Sequence, residues 1–298
     1  MKNIENILFQ LFLSEKTRMQ IEKKILNIAL LSFIIHLLLI LSKKFELLFN
    51  DTPLHLLESP IAAIYTPFSF ILIYEVYLLI YYLPKSFTIY ITKQYEIITL
   101  IIIRKLFQDL SLLELTSDWF EIKGDIKFTY DIIASLVLFF LIYLFQKQST
   151  QNPNILKERK IEIEKFIRKK KMIAVFLVPL FFSMALFTLV SWSIELYKAP
   201  RVIPSFKQLD NLFFDQFFMV LILVDVILLL ISFFYTHQFH KIIRNSGFIV
   251  STILIRMSFG VSGLVSTVLI VVAVIFGLSI LSIHNKYERQ KTSFLNDK

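Results

Sequence analysis

Long apolar blocks are the feature that most limits what this chain can fold into. Eight segments come near or exceed the length, about 20 residues, that a helix needs to cross about 30 Å of hydrocarbon: 25–42, 61–83, 87–106, 128–145, 172–196, 212–235, 241–258 and 261–283. The chain is 56% hydrophobic and 18% charged, whereas about one quarter of the residues in soluble domains are charged. The sequence therefore predicts an all-α integral membrane protein with about eight transmembrane helices.

The distribution of basic residues predicts the orientation. If both termini are cytoplasmic, most of the 32 Lys and Arg residues lie on the inner side, as is typical of membrane proteins. Residues 1–24 then form an amphipathic helix on the membrane surface. Residues 147–171 form a basic cytoplasmic linker helix, and 285–298 form a cytoplasmic tail. The end of the linker is predicted to face anionic lipid through Arg168, Lys169, Lys170 and Lys171.

Several classes of function are excluded or disfavoured. The chain has no cysteine, which removes disulfides and thiolate chemistry. Its net charge of +9 does not indicate nucleic-acid binding, because no soluble basic domain is present. It also lacks the common nucleotide-binding and hydrolase motifs, so neither an enzyme nor a cofactor is predicted. His237 and His240 have a spacing that suits two metal ligands, but no third ligand is nearby in the sequence, so no metal site is predicted.

Charged residues inside the apolar segments recur at a fixed distance. Glu75 and Asp225 lie in the second segment of each half, and Arg104 and Arg256 lie near the end of the third. The two offsets, 150 and 152 residues, are nearly equal. This predicts two four-span units, 25–146 and 172–284. Four is an even number of spans, so the two units share one orientation as parallel repeats.

These residues resemble the phosphate-starvation-inducible E (PsiE) family of small four-span bacterial membrane proteins. That family carries acids in its second span and a His-x-x-x-Arg-x(11)-Arg pattern through its third. The second unit matches with Asp215, Asp225, His240, Arg244 and Arg256. The first unit keeps only part of the pattern, with Thr88 and Thr92 in place of the His and the first Arg. The resemblance implies a tandem pair of PsiE-like units in a bacterial inner membrane, and a role related to stress or phosphate starvation. It implies no chemistry.

The simplest arrangement of the charges is two buried pairs, Glu75–Arg104 and Asp225–Arg256. Asp215 would share Arg256, and Arg244 or His240 would hold the inner side. A charge near the bilayer centre costs at least about 2.5–3.5 kcal/mol, so these residues face the bundle interior.

Two functions stay open at this point. In the first, the protein is an ion or small-solute conduit that uses the charges. In the second, it is a non-catalytic membrane scaffold or regulator whose charges are structural. A water-filled cavity that reaches Glu75 or Asp225 would favour the conduit, and a dry, paired bundle would favour the scaffold. Homo-oligomerisation is compatible with both.

Overall fold

A computed structural model describes residues 2–45, 63, 65–110, 123–150, 161–198, 206–235, 238–261 and 264–296. Within these ranges the chain is all-helical, with no strand. The helices are α1 (Lys2–Leu13), α2 (Glu15–Lys44), α3 (Tyr65–Tyr82), α4 (Phe87–Leu110), α5 (Lys123–Thr150), α6 (Ile161–Lys198), α7 (Phe206–Phe233), α8 (Phe239–Ser258) and α9 (Leu264–Asn296).

The helix boundaries follow local sequence signals. Ser14 separates α1 from α2 and caps α2, since its hydroxyl oxygen accepts a hydrogen bond of 3.1 Å from the backbone N–H of Thr17, as serine does at helix N-termini. Pro84 lies in the turn between α3 and α4, where its missing N–H costs nothing. The described part of the predicted linker, 161–171, continues without a break into the fifth apolar segment as α6, whereas its first residues, 147–150, belong to α5. The described part of the predicted tail, 285–296, is a helical extension of α9.

Six stretches in the described part of the chain are long and apolar enough to cross a membrane. They are Ile7–Lys44, Phe128–Thr150, Glu164–Thr188, Gln216–Phe233, Phe239–Phe259 and Val265–Gln290. The apolar stretch of α3, Thr66–Tyr82, is shorter, and α4 carries five charged residues. Six spans are therefore indicated, while the predicted count of eight and the cytoplasmic termini stay predictions.

The surface of the bundle is apolar and its interior holds charges, the reverse of a soluble protein. Large side chains such as Leu136, Phe176 and Phe187 are about two-thirds exposed (66%, 68% and 68%). Asp225 and Arg256 are instead buried. Such a surface suits lipid as the solvent, which indicates a membrane protein.

Each helix from α2 to α5, and from α6 to α9, packs against its neighbour in the chain. The two series meet mainly where α5 packs on α9, with smaller contacts between α4 and α8 and between α3 and α6. At this boundary the hydroxyl of Tyr95 lies 2.6 Å from that of Ser251, which donates to the carbonyl oxygen of Ala273. Gly277 makes this approach possible, because a Cβ there would lie 1.9 Å from the Tyr95 hydroxyl oxygen.

Candidate functional site

The best-defined charge site is the pair formed by Asp225 of α7 and Arg256 of α8. A guanidinium nitrogen of Arg256 donates to Asp225 Oδ2 at 2.7 Å, and both side chains are only 1% exposed. The other carboxylate oxygen, Oδ1, accepts a hydrogen bond of 2.9 Å from the Tyr90 hydroxyl. The predicted Asp225–Arg256 pair is therefore present, and each oxygen of the carboxylate has a partner.

The Phe rings beside this pair explain how two residues at different depths meet. Phe218 stacks on Phe259 with ring centroids 5.6 Å apart, so these two residues lie at a similar height. Asp225 follows Phe218 by seven residues and Arg256 precedes Phe259 by three. At about 1.5 Å per residue, the Arg256 backbone lies about 6 Å closer to the stacked Phe rings, measured along the helix axes, than the Asp225 backbone does. An extended arginine side chain covers that distance by reaching along the helix toward the acid.

Lys170 lies near this pair, over the ring of Tyr90, and its position contradicts one prediction. The lipid-facing role expected of it is wrong, because Lys170 is 1% exposed. Its ammonium group donates to the Lys85 carbonyl oxygen at 2.7 Å and lies over the rings of Phe87, Tyr90 and Phe166. It is buried because its side chain packs against the turn between α3 and α4 and against the first residues of α4. Cation–π contacts and a carbonyl partner compensate for the lost hydration.

The other basic residues of the linker lie closer to the surface. Arg168 and Lys169 are exposed, and the Lys169 ammonium lies 5.3 Å from the centroid of the Tyr235 ring. Lys171 is half-buried, with its ammonium 4.7 Å from the centroid of the Phe9 ring. Three of the four residues can thus reach the surface of the bundle.

In the predicted first unit, a similar pair of stacked Phe rings accompanies a different arrangement of charges. Phe68 precedes Glu75 by seven residues and Phe107 follows Arg104 by three. Their rings stack with centroids 5.1 Å apart, as those of Phe218 and Phe259 do.

Glu75 does not form the predicted contact pair with Arg104. Glu75 is 2% exposed, and its Oε2 atom is buried without a hydrogen-bond partner. Arg104 is close enough to act on Glu75 electrostatically, but among the described contacts no hydrogen bond joins them. Arg104 has other contacts of its own. One oxygen of this carboxylate is therefore left without the compensation that Asp225 receives.

His240 and Arg244, predicted to hold the inner side of the charge site, do not contact Asp225 among the described contacts. Arg244 donates to Nε2 of His284 at 3.1 Å and to Asn245 Oδ1. His240 Nε2 lies 2.8 Å from an oxygen of Glu288. Both residues are in the first half of α8, far along the helix from Arg256, and they pair with the end of α9 instead. The side chain of Asp215, in α7, lies outside the described residues.

Sequence reasoning also missed Asp131 of α5. It is 6% exposed, and Thr267 donates to its Oδ1 atom at 2.5 Å. The Asp131 Oδ2 and Ser266 Oγ atoms are buried without a hydrogen-bond partner. These residues line a cavity of about 20 Å³ between α4, α5 and α9, together with Lys105. A cavity of that size holds about one water molecule. A lone acid in an apolar segment, the signal that identified Glu75, would have identified Asp131 too.

No family model, no curated protein and no solved structure matches this chain. The class of protein therefore rests on the fold, which is an all-helical bundle with six described helices able to cross a membrane. The resemblance to the PsiE family stays a prediction.

Proposed function

We propose that this chain is a non-catalytic multi-pass membrane protein, a scaffold or regulator whose best-defined buried charges hold two helix units together. The observation that carries the proposal is the complete pairing of Asp225. Arg256 comes from the second predicted unit and Tyr90 from the first, so the carboxylate links the two. A buried, hydrogen-bonded ion pair between helices fixes their relative position, and each oxygen of this carboxylate already accepts a hydrogen bond.

The stacked aromatic pairs support an origin from two PsiE-like units. Phe68–Phe107 and Phe218–Phe259 have the same spacing from the acid and the arginine of their unit. On this proposal the protein lies in a bacterial inner membrane, with the exposed part of the linker against anionic lipid. Native mass spectrometry would test the lipid contact. We expect Arg168→Gln together with Lys169→Gln to release phosphatidylglycerol more readily than the wild type, and equal retention would contradict it.

Measurement of ion flux in proteoliposomes tests directly whether the protein is a scaffold and not a conduit. We expect vesicles that contain the folded protein to pass protons, Na⁺ and K⁺ no faster than protein-free vesicles. A flux that depends on the protein would overturn the proposal.

A conduit is the second candidate, and a specific observation favours it. Glu75 Oε2 and Asp131 Oδ2 are buried carboxylate oxygens without a hydrogen-bond partner. Such oxygens bind protons or small cations in many membrane proteins. If flux is found, Glu75→Gln or Asp131→Asn should abolish it while the protein stays folded. Asp225→Asn that remains folded should leave it unchanged, because Asp225 already has its partners.

A further inference from the structure

Three side chains able to bind metal meet where α8 begins and the apolar part of α9 ends. His284 and Glu288 are four residues apart and so share one face of α9, and His240 approaches them from α8. One ligand atom of each residue lies within 4.8 Å of the other two. The His240 and His284 rings stack with centroids 5.3 Å apart. The expectation that no third ligand lies near His240 is therefore wrong, because the fold brings in two residues distant in sequence. His237, the other histidine considered in the sequence, lies outside the described residues.

We propose that His240, His284 and Glu288 form a binding site for a divalent transition metal such as Zn²⁺. Two imidazoles and one carboxylate are a common zinc donor set, with Zn–N and Zn–O distances of about 2.0–2.2 Å. Tetrahedral geometry at those distances separates the ligand atoms by about 3.4 Å. The observed separations bracket this value, with His240 Nε2 and Glu288 Oε1 at 2.8 Å and none beyond 4.8 Å. Side-chain rotations that move these atoms by about 1 Å would complete the site, with an open position for water.

His284 supplies an independent observation. This residue is 2% exposed, and its Nδ1 atom is buried without a hydrogen-bond partner. Buried polar atoms are nearly always paired, so the unpaired Nδ1 shows that the described contacts leave part of this ring's hydrogen-bonding capacity unused, beside two other side chains able to bind metal.

Arg244 competes with the metal for His284. It donates to Nε2 of that ring, which places the proton of a neutral imidazole on Nδ1. The metal must therefore replace Arg244 at Nε2, or Arg244 must release the ring so that Nδ1 can become the ligand. By either route the guanidinium weakens the binding of a cation. Removal of the Arg244 charge should consequently tighten metal binding, an effect that a purely structural cluster would not produce.

Metal titration of the full chain in detergent tests the site. The protein is made without a histidine tag, is stripped with chelator, and is titrated with Zn²⁺ by calorimetry and with Co²⁺ by visible absorption. We expect one Zn²⁺ per chain and Co²⁺ bands of a four-coordinate site. His240→Asn and Glu288→Gln, whose side chains are partly exposed, should each weaken Zn²⁺ binding at least about 10-fold.

Two further variants make the result specific. His36→Asn is the matched control, since His36 bonds to Thr66 elsewhere in the bundle, and it should bind Zn²⁺ like the wild type. Arg244→Gln should bind more tightly than the wild type. If Arg244→Gln does not fold, Zn²⁺ should still raise the melting temperature of the wild type and not that of Glu288→Gln. Absence of stoichiometric binding to the wild type, or equal affinity of the wild type and the His240→Asn variant, would overturn the proposal.

Discussion

The two acids that the sequence presents as equivalents should respond in different ways to neutralisation. Asp225→Asn leaves the Arg256 guanidinium buried without its counter-charge, and breaking a buried pair in this way costs about 3–5 kcal/mol. The single amide oxygen introduced by Asp225→Asn can replace only one of the two acceptor oxygens that Tyr90 and Arg256 use, so the loss combines the counter-charge with one hydrogen bond. Glu75→Gln removes a buried carboxylate that has an oxygen without a partner. We expect that change to shift the free energy of unfolding by less than about 1 kcal/mol.

A double variant separates the energy of the ion pair from the effects of the single substitutions. In Asp225→Asn with Arg256→Met no uncompensated charge remains, so the double variant should be more stable than Asp225→Asn alone. Replacement of a buried pair by uncharged residues is often neutral. Unfolding free energies would come from SDS titration of detergent-solubilised protein, followed by near-ultraviolet circular dichroism. The reasoning fails if Glu75→Gln costs as much as Asp225→Asn, or if the double variant is no more stable than the single one.

Three further outcomes follow from packing and buried charge; the two glycine substitutions can be measured by the same titration, and the lysine substitutions by the yield of folded protein. Gly277→Ala should destabilise the bundle by about 2 kcal/mol or more through its clash with the Tyr95 hydroxyl, and Tyr95→Phe should partly restore stability by removing that oxygen. Gly247→Ala should cost less, because its Cβ would lie 2.8 Å from the nearest atom, in the Ile280 side chain, whereas that of Gly277→Ala would lie 1.9 Å from the Tyr95 hydroxyl oxygen. Lys170→Glu should lower the yield of folded protein, since it buries a second carboxylate near Asp225. Lys169→Glu, at an exposed position, should be tolerated.

Apolar length and the charges within it predicted much of the fold. Each predicted segment corresponds to a helix among the described ranges, and the Asp225–Arg256 pair could be proposed because both residues stand out from apolar surroundings. The sequence could not show whether α3 and α4 cross the membrane. A helix with several charged residues can do so only if those residues are buried against other helices and away from lipid, and the sequence does not show that packing. It also could not show that Lys170 is buried, since the charge run around it resembles a solvated helix until its side chain packs against the turn between α3 and α4.

The metal-binding cluster was missed for a different reason. His240 precedes His284 by more than forty residues, and only the antiparallel contact of α8 with α9 brings them together. Local spacing reveals ligands that share one helix, such as His284 and Glu288, but not their partner on the next helix. Tyr90 was missed in the same way, since a tyrosine in an apolar segment has no distinctive pattern until its hydroxyl meets a carboxylate from another unit.

The difference between Glu75 and Asp225 follows from what each proposed repeat retains. On the offset that relates Arg104 to Arg256, Tyr90 corresponds to Ile242, which has no side-chain donor. The stacked Phe rings and an arginine are thus present in both proposed units, but only Asp225 has both the tyrosine donor and a hydrogen bond to its arginine. Glu75 is therefore partly uncompensated, and such an acid either lowers stability or binds something else. Because of this asymmetry, Glu75→Gln is the substitution that best distinguishes a structural charge from a functional one.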